Sequence, residues 1–405
     1  MTAPPDDLVA LLSRAAIEPA APEPLRVLTP QDWANLATMQ GYQLAALWLE
    51  HDRVLGLVLL DDWVLPVATI GGESAIALMR SAHPALALAQ RHGDFPEASG
   101  EGIYQIGEGP VGGVIAEPMH RRLHLAGDCV VRADHRFGYA HRGILALIGG
   151  KSPRAAARFA ARIAGVSAVA HSLAFARAAE AASGAVLPAQ IEPLRDGMAA
   201  AERCVAALLA LARLAEICAA PRLAATLIAL RTDIANAAEQ IFYHRLMMDM
   251  VVPGGIDTVP RLSALPSLIA ILQSVRPALQ RFGAWRWRRR WADLAAPVRL
   301  RVWQAIHAAE AACASFARFG AAPSTEPWLV ALPSISGAGF GQAPGLDGPV
   351  YCWMRLEAGF IDSCAIANAG LAAIASLEST APGLTRVAFE RRATLLMPPI
   401  GMIDL

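Results

Sequence analysis

Apolar positions near the start of the chain fall into three dense runs, residues 44–50, 54–60 and 64–70, divided only by His51-Asp52-Arg53 and Asp61-Asp62. Runs of that length broken by short polar turns predict strands in an antiparallel meander. Thr29-Pro30-Gln31-Asp32 reads as a helix start ahead of a helical stretch over 33–40, and helical spacing returns at 74–80 and 84–91. The polar run 93–100, which carries Pro and Gly, reads as a linker. Residues 103–147 form a second β-rich block, in which Leu123-His124-Leu125 and Cys129-Val130-Val131-Arg132 flank Ala126-Gly127-Asp128 as a hairpin.

From Ser152 to Phe319 the spacing is helical throughout. Ser152-Pro153 supplies an N-cap and a first-turn proline, and Gly184, Pro193, Pro221, Pro253-Gly254-Gly255 and Pro266 punctuate the helices. Several helices, such as 204–212, are apolar almost all round, which predicts a bundle buried on many sides. Strands return at 350–356 and 360–366 around Glu357-Ala358-Gly359, and no repeat of solenoid period is present. The pattern as a whole predicts an α+β protein. An N-terminal extension (1–24) and a small α/β domain with its linker (25–100) precede a larger domain (101–405), whose central helical bundle has flanking antiparallel strands.

Composition narrows the class. Apolar residues make up 55% of the 405 and charged residues 17%, with a mean hydropathy of +0.38. Such a chain has ample core and is not intrinsically disordered. Positive and negative charges balance at 35 each, so no global field recruits nucleic acid. Lys151 is the only lysine. A surface this poor in charge is expected to be covered by partners. Every long apolar stretch meets a charge, Pro or Gly before the 18 or so residues of a membrane span. The acidic start, Met1-Thr2-Ala3-Pro4-Pro5-Asp6-Asp7, differs from a secretory signal, and the six cysteines contain no C-x-x-C pair, so a cytoplasmic chain with reduced thiols is expected.

Gly107, Gly109, Gly112 and Gly113 approximate a dinucleotide-binding loop, but Pro110 lies inside the cluster and no helix follows, so that assignment is rejected. His120, His124, His135 and His141, with Glu117 and Asp134, are dense for this composition, yet their spacing fits no closed zinc site; histidines beside a hairpin explain them better. Trp285-Arg286-Trp287-Arg288-Arg289-Arg290-Trp291 suits a partner-facing or membrane-facing surface better than nucleic acid, given the neutral net charge.

Four motifs then carry a resemblance. Gly109-Pro110-Val111-Gly112-Gly113-Val114-Ile115-Ala116-Glu117-Pro118-Met119-His120 resembles the GPVHAGIIEPGHFRF segment of NiFe hydrogenase large subunits of the membrane-bound, energy-converting type, and the related quinone-site subunit of respiratory complex I (49-kDa-like). Phe137-Gly138-Tyr139-Ala140-His141-Arg142-Gly143-Ile144 is similar to the family's GYxHRGI. The segment Ala161-Arg162-Ile163-Ala164-Gly165-Val166-Ser167-Ala168-Val169-Ala170-His171-Ser172 is similar to ERVCGICxxAHS. Phe242-Tyr243-His244-Arg245 with Val251-Val252-Pro253-Gly254-Gly255 is similar to HR…VxPGG. Ser81-Ala82-His83-Pro84 and the stretch after it resemble the small complex I subunit fused ahead of the large one in these hydrogenases.

The departures carry as much information as the matches. The family holds nickel and iron with four thiolates from two C-x-x-C pairs, and the first pair falls here on Ala164 and Ser167. The terminal Ile400-Gly401-Met402-Ile403-Asp404-Leu405 resembles the approach to the second pair, without its cysteines. The resemblance therefore implies a subunit without nickel–iron chemistry. In complex I a histidine of the GP segment and a tyrosine bind quinone; His120 is the nearest imidazole here, the tyrosine position falls on Gly165, and the histidine's acidic partner falls near Ala220. Glu117 matches a glutamate on the hydrogenases' proton route. His120 and Glu117 are thus the candidate quinone and proton site. They are expected at the inner end of a cavity between the β-rich block and the helix that begins near Ser152, close to residues 164–167. The implied function is a subunit of a membrane-associated oxidoreductase of the complex I (NADH:quinone oxidoreductase) or energy-converting hydrogenase kind. Its implied location is the inner face of the cytoplasmic membrane, held there by partner subunits. Quinone is the implied ligand, and any iron–sulfur cluster sits in a partner small subunit. The competing expectation is a non-catalytic scaffold for that iron–sulfur partner.

Overall fold

A computed structural model describes residues 16–17, 26–39, 42–50, 53–60, 63–70, 94–97, 99–111, 117–283, 295–320, 326–368, 370–396 and 401. The helical stretches expected at 74–80 and 84–91, the Ser81-Ala82-His83-Pro84 motif and the Trp/Arg run 285–291 lie outside the described residues.

β1 (Ala16–Ile17) and β2 (Arg26–Leu28) lead into α1 (Pro30–Ala37), where the Thr29 hydroxyl accepts a hydrogen bond from the Asp32 amide at 3.2 Å. β3 (Tyr42–Glu50), β4 (Arg53–Leu60) and β5 (Trp63–Ile70) form the expected antiparallel meander, and β2 adds in parallel to β5, giving the order β1-β2-β5-β4-β3. Residues 16–17, within the stretch read as an extension, thus pair with this sheet.

β6 (Ile103–Glu108), β7 (His120–Ala126) and β8 (Cys129–Arg136) form a second antiparallel sheet. Its inner face buries Leu123, Leu125, Val130 and Ala133 against Phe389. After the short α2 (Ile144–Ile148), the helical region opens with α3 (Pro153–Ala160), capped by Ser152, whose hydroxyl accepts from the Ala155 amide at 3.4 Å. A 3₁₀ turn (Gly165–Ser167) joins it to α4 (Ala168–Ser183), which ends at Gly184 with φ +63°. α5 (Ile191–Ile217) and α6 (Pro221–Phe242) follow.

The expectation of unbroken helix to Phe319 is corrected at β9 (Val251–Val252) and β10 (Gly255–Ile256), a tight antiparallel pair. Gly254 and Gly255 adopt φ of +93° and +148°, and a Cβ on either would fall within 2.3 Å of the Val330 or Trp328 carbonyl oxygen. Helical periodicity cannot continue through backbone packed that closely. Pro193 lies in the first turn of α5 and breaks nothing.

α7 (Leu265–Gly283) and α8 (Ala295–Gly320) complete the bundle, with α5 packed along α8. The segment Leu262–Gln280 is long and apolar enough to cross a membrane, yet Leu265, Leu268, Leu272, Val275 and Leu279 are buried in the shared core. β11 (Gly337–Pro344), β12 (Pro349–Glu357) and β13 (Phe360–Asn368) then form an antiparallel sheet against α4. Fourteen of the sixteen α4 residues are buried. A Cβ at Gly341 would stand 2.0 Å from the Ala174 oxygen, and one at Gly339 2.2 Å from the Ala182 nitrogen. That close approach explains why β11 carries no apolar alternation and went unread in the sequence. α9 (Gly370–Ser379) and α10 (Arg386–Leu395) also lack a sequence expectation. The architecture is α+β, as the pattern predicts.

Candidate functional site

The segment 161–167 lies between α3 and α4, and Ala164 at its centre is fully buried. The Ser167 hydroxyl lies 3.1 Å from His171 Nδ1, which donates to the Ser167 carbonyl oxygen at 2.7 Å. Burial pushes His171 down to about 4, so the ring is neutral at pH 7, and its Nε2 has no hydrogen-bond partner among the described residues. Ala164 offers a methyl group and Ser167 a hydroxyl. Neither provides the soft, anionic sulfur that a nickel–iron centre requires, so these residues do not fit that group.

Glu117 and Arg142 reach the same segment from the β-rich block. A Glu117 carboxylate oxygen accepts from the Gly401 amide at 2.9 Å. Arg142 donates to the Ala140, Arg162 and Ile163 carbonyl oxygens at 3.3, 2.7 and 2.9 Å. A Cβ on Gly401 would meet the Ile163 oxygen at 2.3 Å and Arg142 Nη2 at 2.4 Å. Arg142 thus meets Ile163 directly, while Glu117 reaches it through Gly401, which is laid on the Ile163 backbone.

His120 occupies different surroundings. Its partly exposed ring packs edge-on against Phe95 at 4.7 Å and Tyr139 at 6.3 Å between centroids. Arg122 and Arg136 lie over the same Phe95 ring at 4.7 and 4.6 Å. Burial, then Arg122 and Arg136, push the His120 pKa down. The other histidines are divided among separate acids: His124 lies 3.3 Å from Asp134, and His135 Nδ1 lies 2.9 Å from Glu378, while His141 is exposed. Among the described residues, no group of three or more His, Cys, Asp or Glu side chains is arranged to hold a metal ion.

Glu202 and Arg195 are among the buried ionisable groups that escaped the sequence reading. Glu202 on α5 accepts from the Val169 and Ala170 amides at 2.7 and 2.9 Å, satisfying the N-terminus of α4 from another helix. Burial pushes its carboxyl up to about 8. Arg195, fully buried, pairs with Glu180 at 2.7 Å and donates to the Val252 and Gly255 carbonyl oxygens at 2.8 and 2.9 Å. The signal available in the sequence was slight: ionisable pairs, Arg195-Asp196 and Glu202-Arg203, set in a helix rich in Ala and Leu. Gly165 and Val166 face a crevice of about 40 Å³ that Glu202, Arg231 and Arg245 also line. Ala220, at the start of α6, is buried against Ala215 and Ala224.

The sequence matches no family model and no curated protein. Among solved structures the fold is similar to a chain of the membrane-bound sulfane sulfur reductase, an archaeal respiratory membrane complex, with a TM-score of 0.63, 16% identity and coverage of 75% of this chain and 99% of that one. It is similar to the Ni-Fe-Se hydrogenase of D. vulgaris Hildenborough at a TM-score of 0.61, 13% identity and coverage of 75% and 100%. The NiFeSe hydrogenase of Dm. baculatum gives a TM-score of 0.63 at 11% identity, again covering 75% and 100%. At these identities the likeness is one of fold, and the fold is that of the hydrogenase large subunits.

Proposed function

We propose that this chain is a nickel-free, hydrogenase-fold subunit of a membrane-associated respiratory oxidoreductase of the complex I or energy-converting hydrogenase kind. Its part there is to hold an iron–sulfur partner subunit. The observation that carries the nickel-free part is the pair Ala164 and Ser167: one position is a buried methyl and the other a hydroxyl engaged with His171. The scaffold part is supported by Glu117, which is bonded to the Gly401 amide, and by Arg142, which is bonded to backbone. Likeness of fold to a chain of a respiratory membrane complex supports the setting.

Affinity purification through a tag on this chain, from its own host membranes, tests the proposal. The expected result is co-purification of an iron–sulfur subunit and membrane subunits, with nickel well below one atom per chain. About one nickel per chain with hydrogen uptake overturns the nickel-free reading, and a chain recovered alone overturns the subunit reading.

A second reading rests on His120, whose partly exposed imidazole lies beside Tyr139. In this reading a ring nitrogen of His120 would hydrogen-bond a quinone head. His120→Ala in the purified assembly should then abolish quinone reduction without loss of subunits. Unchanged turnover leaves the scaffold role alone.

A further inference from the structure

Gly165 and Val166 open onto the crevice between α5 and α6, and a Cβ on Gly165 would meet no atom within 4 Å. Glu202, Val205, Ala206 and Leu209 share one face of α5 at helical spacing, while Ile234 and Ala238 of α6 and Met247 close the other wall. The space of about 40 Å³ holds about three waters. It suits the end of one side chain and is too small for a cofactor or a lipid tail.

Cations dominate its charge. Arg231 is half-buried, and its Nε has no hydrogen-bond partner among the described residues. Burial, then Arg245, then Arg213, push its pKa down, so both charges that act on it are like charges. Glu202 at the inner end is bonded to the Val169 and Ala170 amides and, held up to about 8, is largely neutral at pH 7. It therefore does little to offset the guanidiniums. Like-charged arginines at the mouth of an apolar pit raise the energy of the free chain unless carboxylates meet them.

We propose that this crevice receives an acidic segment of a partner subunit, seating one apolar side chain between Val205, Leu209 and Met247 and placing its carboxylates on Arg231 and Arg245. The proposal rests on the multi-subunit reading above and adds the chemistry of one contact. Arginine beside a well-packed, desolvated pocket is a common setting for an interface hot spot.

Lys151 is the only lysine, so an amine placed at the crevice has almost no background from this chain. Arg245→Lys keeps the positive charge and permits zero-length carbodiimide coupling, in which an amide forms to any touching carboxylate and the water is removed as the urea. In the tag-purified assembly, mass spectrometry should find an amide from position 245 to an Asp or Glu of another subunit, next to an apolar residue. The yield should fall at least ten-fold when Arg231→Glu is added. Because a reversed charge beside the core can itself disturb folding, Arg231→Gln is run alongside and should lower the yield several-fold with an unchanged melting temperature. Partners that co-purify while position 245 gives no amide, or gives one only to this chain, overturn the docking site alone. A chain that purifies without partners overturns the underlying reading and this contact with it.

Discussion

Ile163 and Gly165 are two residues apart, and their surroundings differ in kind. At Ile163 the carbonyl oxygen is bonded to Arg142, Gly401 packs directly on it, and Glu117 fixes the Gly401 amide. At Gly165 the space is open, its lining is mostly apolar, and a guanidinium nitrogen of Arg231 has no partner among the described residues. A buried polar atom left unsatisfied costs about 1–3 kcal/mol, so folding alone favours the arrangement at Ile163. At the crevice, by contrast, Arg231 and Arg245 share the lining with no carboxylate bonded to either among the described residues. The sides of one short segment thus separate what holds this protein together from what it presents.

The strongest way to break the comparison is to remove the scaffold beneath both regions. Arg195→Ala leaves Glu180 buried without its guanidinium and frees the Val252 and Gly255 carbonyl oxygens. A loss of about 3–5 kcal/mol in urea unfolding is expected, and a loss below about 1 kcal/mol would mean that the ion pair does not support the turn.

The next largest effect is a pH dependence. Glu202 is held up to about 8 from an ordinary 4.5, so its contribution to stability is full below 4.5 and is lost as pH rises through 8. His171 is held down to about 4 from 6.5, and acts in the opposite direction, losing stability as pH falls from 6.5 towards 4. Between pH 6.5 and 8 the loss from Glu202 outweighs the last of the gain from His171, and stability should fall by about 1 kcal/mol. Chemical unfolding across that window checks the slope, which Glu202→Gln should flatten.

A smaller effect is expected on the closed side. Glu117→Gln weakens a charge-assisted bond to the Gly401 amide and should cost about 1 kcal/mol, read as faster hydrogen exchange at that amide. The smallest belongs to the crevice. Arg231→Ala should change the stability of the isolated chain by less than about 0.5 kcal/mol, because the guanidinium has no acid to lose among the described residues. A cost above about 2 kcal/mol would place Arg231 among the folding groups and erase the contrast.

Local rules made much of this legible. Apolar runs with polar turns specified the β3–β5 meander, and Ser152-Pro153 specified the start of α3, because strand pairing across short turns and helix capping are settled by neighbours in sequence. Tertiary structure decided the remainder. Gly337–Pro344 is a strand because α4 lies so close that Gly339 and Gly341 admit no side chain, a constraint set by a helix over 150 residues earlier. Glu117 meets Gly401, and Glu202 meets the start of α4, only once the chain has folded back on itself. Sequence periodicity carries no record of such distant pairings, since a buried carboxylate finds its partner through space and not along the chain.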